Sequence, residues 1–394
     1  MRILIVIPYF YPALFFGGPV KVAFDVGKEL VKRGNEVVVF TSDAQDLRNR
    51  LPDVSNEVEG MQVYYFHNLS MLSAAFSKLF VTPGLNDRMK LDVGSFDIIH
   101  AHEYTTYQNI IVQKFAKKSG VPYVLQAHGS LPRIGRKTRK WLYDFFFGHR
   151  ILRDASKVIA LNEMEAKQYM KMGVTECKIT IIPNGIDFSE YSNLPPKGSF
   201  KKKFNIPANK KIILYLGRIH QVKGIDFLIK AYDYLIKNMR YNEAILVIAG
   251  PDDGYLDNTR SLIDKLKLQH EVLLTGSIYG NAKLEAFVDS DLYVLPSRYE
   301  TFPMSLLEAY VCGKPAITSR IEGLNDLVLE NVTGFSVEPD NVENMAIRML
   351  FLLNDENKIK EIGMNSRKFV EKFAIEKVVD KLVQLYEEIV SAQS

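Results

Sequence analysis

The chain has 394 residues, 47% hydrophobic and 24% charged, with 24 Gly, 16 Pro, one Trp and two Cys. At about 150 residues per domain the length predicts two or three domains, and the hydrophobic content excludes a disordered, collagen-like or low-complexity chain. Cys177 and Cys312 are too few and too far apart for a disulfide framework or a cysteine zinc site, which fits a reducing, cytoplasmic setting, and a net charge of +4 gives no nucleic-acid footprint.

Residues 3–7 are an apolar run after Arg2 that shares features with a secretory leader. Pro8 and Pro12 break a helical core and no small-x-small cleavage site follows, so a buried first strand is the better reading. No stretch reaches the roughly 20 uninterrupted apolar residues of a membrane-spanning helix. Strands are predicted at 3–7, 36–41, 62–66, 96–100, 123–127, 157–161 and 179–182, with helices such as 21–33, 107–118 and 163–172 between them. Most of these strands are apolar on both faces, as a parallel sheet covered by helices requires. The alternation stops around 183–204, a turn-rich stretch with a basic cluster at 201–203 that reads as an interdomain linker. It resumes with strands at 212–216, 244–249, 272–275, 292–295, 315–318 and 335–337 and helices at 225–237, 255–268, 282–288, 304–311 and 342–353. The expectation is an α/β chain of two Rossmann-like doubly wound domains facing a central cleft, at 1–195 and 196–374. A last helix, from about 375 to 394, is expected to pack back on the first domain.

In open parallel sheets ligands collect at the carboxyl ends of strands. Gly17 and Gly18 follow the first strand and precede a helix, where backbone can approach an anion; a plain turn is the alternative. Arg218 and Lys223 lie in a glycine-bounded loop after the strand at 212–216, a plausible diphosphate clamp or else two solvated charges. The loop after the strand at 292–295 carries Glu300, Thr301 and Phe302, with Pro303 suited to the first position of the helix that Met304 continues. Glu308 falls about a turn and a half into that helix. Its neighbours Leu306, Leu307 and Ala309 imply burial, and a buried charge needs a partner. His100, His102 and His128 fall near strand ends. No carboxylate or cysteine pattern completes a metal site around His100 and His102, and His128 is the better ligand contact. Residues 131–153 hold seven Arg or Lys against the single acid Asp144, interleaved with Trp141, Phe145, Phe146 and Phe147. This suits contact with an anionic membrane, or a helix whose aromatic face packs on the sheet and whose basic face is solvated.

Gly17-Gly18, His128-Gly129, Pro183-Asn184-Gly185-Ile186-Asp187, Arg218 with Lys223, and Glu300 with Glu308 occur in an order that resembles the retaining GT-B glycosyltransferases of family four. The resemblance runs from Ile3 to about Phe373. It implies transfer of a hexose from a UDP- or GDP-linked sugar to a glycan or lipid-linked acceptor, with retention and with no metal or cofactor. It implies catalytic roles for His128, at the donor sugar, and for Glu300, holding sugar hydroxyls. Arg218 and Lys223 would neutralise the diphosphate and Glu308 would bind the ribose. Gly17, Gly18, Thr301, Phe302 and Met304 would complete the donor site, with base contacts from the backbone around 276–280. Thr301 and Pro303 stand where relatives often carry glycine, and Pro303 cannot donate a hydrogen bond, so contacts there must come from neighbouring amides. Asp289-Ser290-Asp291 has the spacing of the Asp-x-Asp metal motif of the other large glycosyltransferase fold, but reads as a structural turn. A nucleotide-sugar epimerase of the same architecture and a non-catalytic sugar-nucleotide-binding protein remain as alternatives. Neither half carries the glycine fingerprint of a dinucleotide-binding dehydrogenase.

Overall fold

Ile3, Leu4, Ile5 and Val6, all aliphatic, have no exposed surface, because the strand they form is covered on both faces. The computed structural model describes residues 1–52, 56–70, 79–132 and 137–393. It divides into two units, one built from Met1–Ile186 with Ile375–Ser394 and the other from Asp187–Ala374.

Unit 1 holds strands β1 (Arg2–Val6), β2 (Glu36–Ser42), β3 (Glu57–Val58), β4 (Met61–Phe66), β5 (Ile98–His102), β6 (Tyr123–Gln126), β7 (Lys157–Ala160) and β8 (Ile179–Ile181). They form one sheet in the order β3-β4-β2-β1-β5-β6-β7-β8, parallel except for the β3–β4 pair. The order reverses between β1 and β5, so the loops after those strands diverge and leave a crevice at their carboxyl ends. The final helix, Ile375–Ser391, belongs to this unit. Its buried stripe of Val378, Val379, Leu382, Leu385, Tyr386 and Ile389 follows helical spacing. Arg33 fastens it, with Nη1 2.5 Å from Asp380 and Nη2 donating to the Glu376 carbonyl at 2.8 Å. Gly185 lets it close in, since a Cβ there would lie 2.7 Å from the Ile375 side chain and 3.0 Å from its Cα.

Unit 2 holds β9 (Lys211–Leu216), β10 (Ala244–Ala249), β11 (Val272–Gly276), β12 (Leu292–Leu295), β13 (Ala316–Ser319) and β14 (Gly334–Val337). All pair in parallel, in the order β11-β10-β9-β12-β13-β14, which reverses between β9 and β12. The stretch expected as a linker is largely part of this unit. Ser199–Lys203 is a short helix with Phe200 fully buried, and Asp289 accepts hydrogen bonds from the Gly198 and Lys201 amides. The boundary between units falls after Ile186, upstream of the expected 195/196.

Leu382→Ala empties a buried position of the final helix and is expected to lower the unfolding free energy by about 2–5 kcal/mol. Lys381→Ala, on the exposed side, is expected to stay within about 0.5 kcal/mol. Urea denaturation of the two variants checks the contrast.

Candidate functional site

The two loops that flank the reversal in unit 2 are held against each other. After β9 the chain passes Arg218 and makes a short turn at Gln221–Lys223, capped by the His220 ring, whose Nδ1 accepts from the Val222 amide at 3.1 Å. Gly224 then adopts a positive φ of 66°, and a Cβ there would lie 2.0 Å from the Pro296 carbonyl of the loop after β12. No other residue type fits both the dihedral and the approach. The Arg298 amide donates to the Val222 carbonyl at 2.8 Å, and the Arg298 guanidinium grips Asp226 through two bonds of 2.8 and 2.9 Å. Lys223 Nζ lies 2.6 Å from Glu300 Oε1, which also accepts from Ser297 Oγ at 2.7 Å. Glu300 is buried, yet its Oε2 has no partner among the described residues.

Glu308 repeats the arrangement. It is buried on the helix Met304–Val311, and its Oε1 lies 2.7 Å from Lys283 Nζ, on the neighbouring helix Gly280–Asp289. Its Oε2 is likewise uncommitted among the described residues. Arg218 spends one nitrogen on Asp253, at 2.5 Å. All three cations therefore meet a carboxylate while keeping further N–H donors. Pro303 precedes the helix with an extended ψ of 117°, and Met304 opens it, a correction to the expected first-turn proline. The Pro303 carbonyl accepts the first helical bond, from Leu306 at 3.2 Å, as a residue at the cap position does. The Met304 and Ser305 amides are of the kind a helix start leaves without internal acceptors. The Phe302 ring packs edge-on against Phe373 with centroids 5.4 Å apart, so this residue can offer backbone more readily than side chain. Thr301 is buried, with Oγ1 3.3 Å from the Tyr299 hydroxyl.

Unit 1 carries the other candidates. Gly17 has φ 81° and caps the helix Gly18–Lys32, with Gly18 as its first residue. His128 follows β6 with φ 52°, half-buried, and Gly129 follows with φ 77°. Glu165, fully buried, accepts from the Gly129 amide at 2.6 Å and the Leu161 amide at 2.8 Å, tying the His128 turn to the next strand end. Burial pushes the Glu165 carboxyl up to about 7. His128 Nε2 lies 2.8 Å from His102 Nδ1, and burial followed by the charge of His100 pushes His128 down to about 3.

Asp291 accepts from the Ile212 amide at 2.7 Å, and Asp289 takes the two amides already named, so both carboxylates of the Asp-x-Asp sequence hold backbone. Among the described residues no group of three or more His, Cys, Asp or Glu side chains is placed to hold a metal ion. Of the basic and aromatic segment, residues 133–136 lie outside the described residues. In the rest, Asp144 and Gly148 both face the Tyr104 hydroxyl, and the wide turn Asp144–Gly148 carries three phenylalanines between them. Phe145 is 66% exposed, Phe146 54%, Phe147 40% and Trp141 51%, which overturns the reading of an aromatic face packed on the sheet.

Sequence reasoning missed Lys283, Asp253, Ser297, Glu165 and the contact of His102 with His128. The need of Glu308 for a partner was readable from its apolar neighbours, but Lys283 lies 25 residues away and meets it only through the fold.

Comparison with known proteins follows the same division. Residues 16–190 match the family model described as Glycosyltransferase Family 4, and residues 196–369 match that described as Glycosyl transferases group 1. An uncharacterized glycosyltransferase of Methanocaldococcus jannaschii is 28% identical over 386 residues, 95% of each chain. A UDP-Gal:alpha-D-GlcNAc-diphosphoundecaprenol alpha-1,3-galactosyltransferase of Escherichia coli is 30% identical over 302 residues, covering 75% of this chain and 76% of that one. The crystal structure of HepE from Anabaena in complex with UDP and glucose matches with a TM-score of 0.81 at 19% identity, covering 98% of this chain and 100% of that one.

Lys283→Met leaves the Glu308 carboxylate buried without its ion pair and is expected to cost about 3–5 kcal/mol of stability. Adding Glu308→Leu should return most of that loss, and denaturation of the single and double variants measures the coupling.

Proposed function

The chain belongs to the GT-B glycosyltransferases of family four, and we propose that it moves a hexose from a UDP- or GDP-linked donor to a glycan or lipid-linked acceptor, with retention and without a metal ion. The observation that carries this reading is the pair of half-committed carboxylates, Glu300 and Glu308, each holding a lysine through one oxygen beside the start of one helix. The second oxygen of each suits a hydroxyl, so Glu308 would take the nucleotide ribose and Glu300 the hydroxyls of the donor sugar. Arg218 and Lys223 would meet the diphosphate with the donors they do not spend on Asp253 and Glu300. The amides of Met304 and Ser305 add the positive end of a helix dipole. The crystal structure of HepE with UDP and glucose supports a nucleotide-sugar donor, and the diphosphoundecaprenol-linked acceptor of the E. coli galactosyltransferase supports a lipid-linked acceptor.

In this reading the bond from the anomeric carbon to the diphosphate oxygen breaks with its electron pair leaving on the phosphate. The preorganised cations and helix amides stabilise that charge as it develops. The acceptor oxygen bonds to the anomeric carbon on the same face, and its proton passes to the leaving phosphate oxygen. Gly17 and Gly18 would bring backbone close to the donor, and His128 would contact the sugar. A peripheral membrane location suits a lipid-linked acceptor. The exposed Trp141, Phe145, Phe146 and Phe147, beside the exposed Arg150, form a surface of the chemistry that meets anionic lipid headgroups.

Thermal-shift screening with nucleoside diphosphates and their sugars, followed by mass analysis of released nucleotide, tests the reading. Glu308→Ala should weaken nucleotide binding about tenfold or more, whereas His128→Ala should leave binding within about twofold and lower turnover at least about tenfold. Unchanged activity in both variants, or conversion of the sugar without any acceptor, overturns it. Flotation with anionic but not neutral vesicles, lost in a Phe145→Ser/Phe146→Ser variant, is expected of the membrane contact; equal recovery from both vesicle types removes it.

A further inference from the structure

The ends of β5 and β6 carry a column of imidazoles that sugar contact by His128 does not by itself explain. His100 and His102 alternate onto one side of β5, and their rings stack with centroids 4.1 Å apart. The His102 and His128 rings lie nearly parallel, 5.1 Å apart, with His102 Nδ1 2.8 Å from His128 Nε2. At the far end the Tyr386 hydroxyl, on the final helix, lies 2.6 Å from His100 Nδ1. His100 and His102 have no exposed surface, and the Nε2 of His102 has no hydrogen-bond partner among the described residues. Burial pushes all three imidazoles down from their ordinary value, so at neutral pH the column is uncharged.

Two neutral imidazoles joined by one N···N contact share one proton, and its position is decided at the buried end. If His128 Nε2 carried it, His102 would accept on Nδ1 and keep its own proton on Nε2, leaving a fully buried N–H with no acceptor. If His102 Nδ1 carries it, the orphan is a bare ring nitrogen. Either orphan costs desolvation, but orphaned buried N–H groups are rarer in folded proteins than under-satisfied acceptors, which favours the bare nitrogen. We infer that His102 is a positioning residue: it donates from Nδ1 to His128 Nε2 and so fixes His128 in the tautomer protonated on Nδ1. The ring then offers a hydrogen-bond donor, and not a base, through the one nitrogen that has no partner among the described residues. This rests on the reading above only in naming what receives the bond, a hydroxyl of the donor sugar. It also deepens that reading, because a His128 that presents N–H cannot take the acceptor's proton.

The test uses the full chain labelled with 15N-histidine and long-range proton–nitrogen spectra at pH 7. The His128 signals are assigned by their loss in His128→Gln. The expected spectrum shows a proton on Nδ1 and a bare Nε2. A proton on Nε2, or on both nitrogens, overturns the inference, and this holds even where a His102 variant fails to fold. In His102→Phe, which keeps a ring in the stack, His128 should become a mixture of tautomers, with kcat about tenfold lower and the donor KM within about twofold. His102→Asn, whose amide can donate from near the Nδ1 position, should restore both the single tautomer and the turnover. A His128 spectrum identical in wild type and His102→Phe overturns the assignment to His102. Failure of the proposed function appears separately, as no nucleotide released from any donor while the wild-type tautomer is unchanged.

Discussion

A parallel sheet whose strand order reverses sends its two central loops in opposite directions, and something must hold them side by side. In unit 2 that role falls to Lys223 and Glu300, 2.6 Å apart and both largely withdrawn from water. The contact is framed by backbone: Gly224 pressed toward the Pro296 carbonyl, and the Arg298 amide bonded to Val222. A buried ion pair is weak evidence for stability, because desolvation offsets much of the attraction. Its value here is positional. It sets the loop of Arg218 and Lys223 beside the start of the helix Met304–Val311, so cations and helix amides converge on one place.

The same pair bears on charge. Arg218, Lys223 and Lys283 each face one acid, so the unliganded site is close to electrically balanced. A diphosphate would not enter a bare positive hollow; it would share ammonium and guanidinium donors that already have one partner. In the proposed reading, such an arrangement would keep the lysines in place and the carboxylates oriented for hydroxyl groups. The cost of organising these side chains is met on folding rather than at the moment of reaction.

The sheets were legible because, apart from the short β3, both are parallel and covered, which makes most strands predominantly apolar runs. Strands at 244–249 and 292–295 match β10 and β12 residue for residue, and the one at 212–216 starts one residue after β9. The loops were legible because Arg218 with Lys223, and Glu300 with Glu308, are local in sequence. Partners supplied by other elements were not: Asp253 and Lys283 carry no local signal, and the pairing of His102 with His128 exists only through the fold. The basic stretch at 201–203 misled for a related reason. Lys202 and Lys203 are exposed, but Lys201 donates to the Ala208 and Lys210 carbonyls, Phe200 is buried and the helix is anchored by Asp289, so a linker-like composition covers an ordered element. Pro303 shows the limit of local rules in a single residue, since its ring suits either the first turn or the position before it, and the backbone chose the latter.

The final helix carries a consequence for biosynthesis. Unit 1 is discontinuous: its sheet is complete by Ile186, but the helix that covers part of it begins at Ile375, after all of unit 2. At a synthesis rate of about 5–20 residues per second, the nascent sheet waits on the order of 10–40 s with the seat of that helix uncovered. Unit 2, continuous in the chain, can close on itself in the interval. The amino-terminal half is therefore the last to be finished, and the apolar seat of its final helix stays uncovered until translation ends.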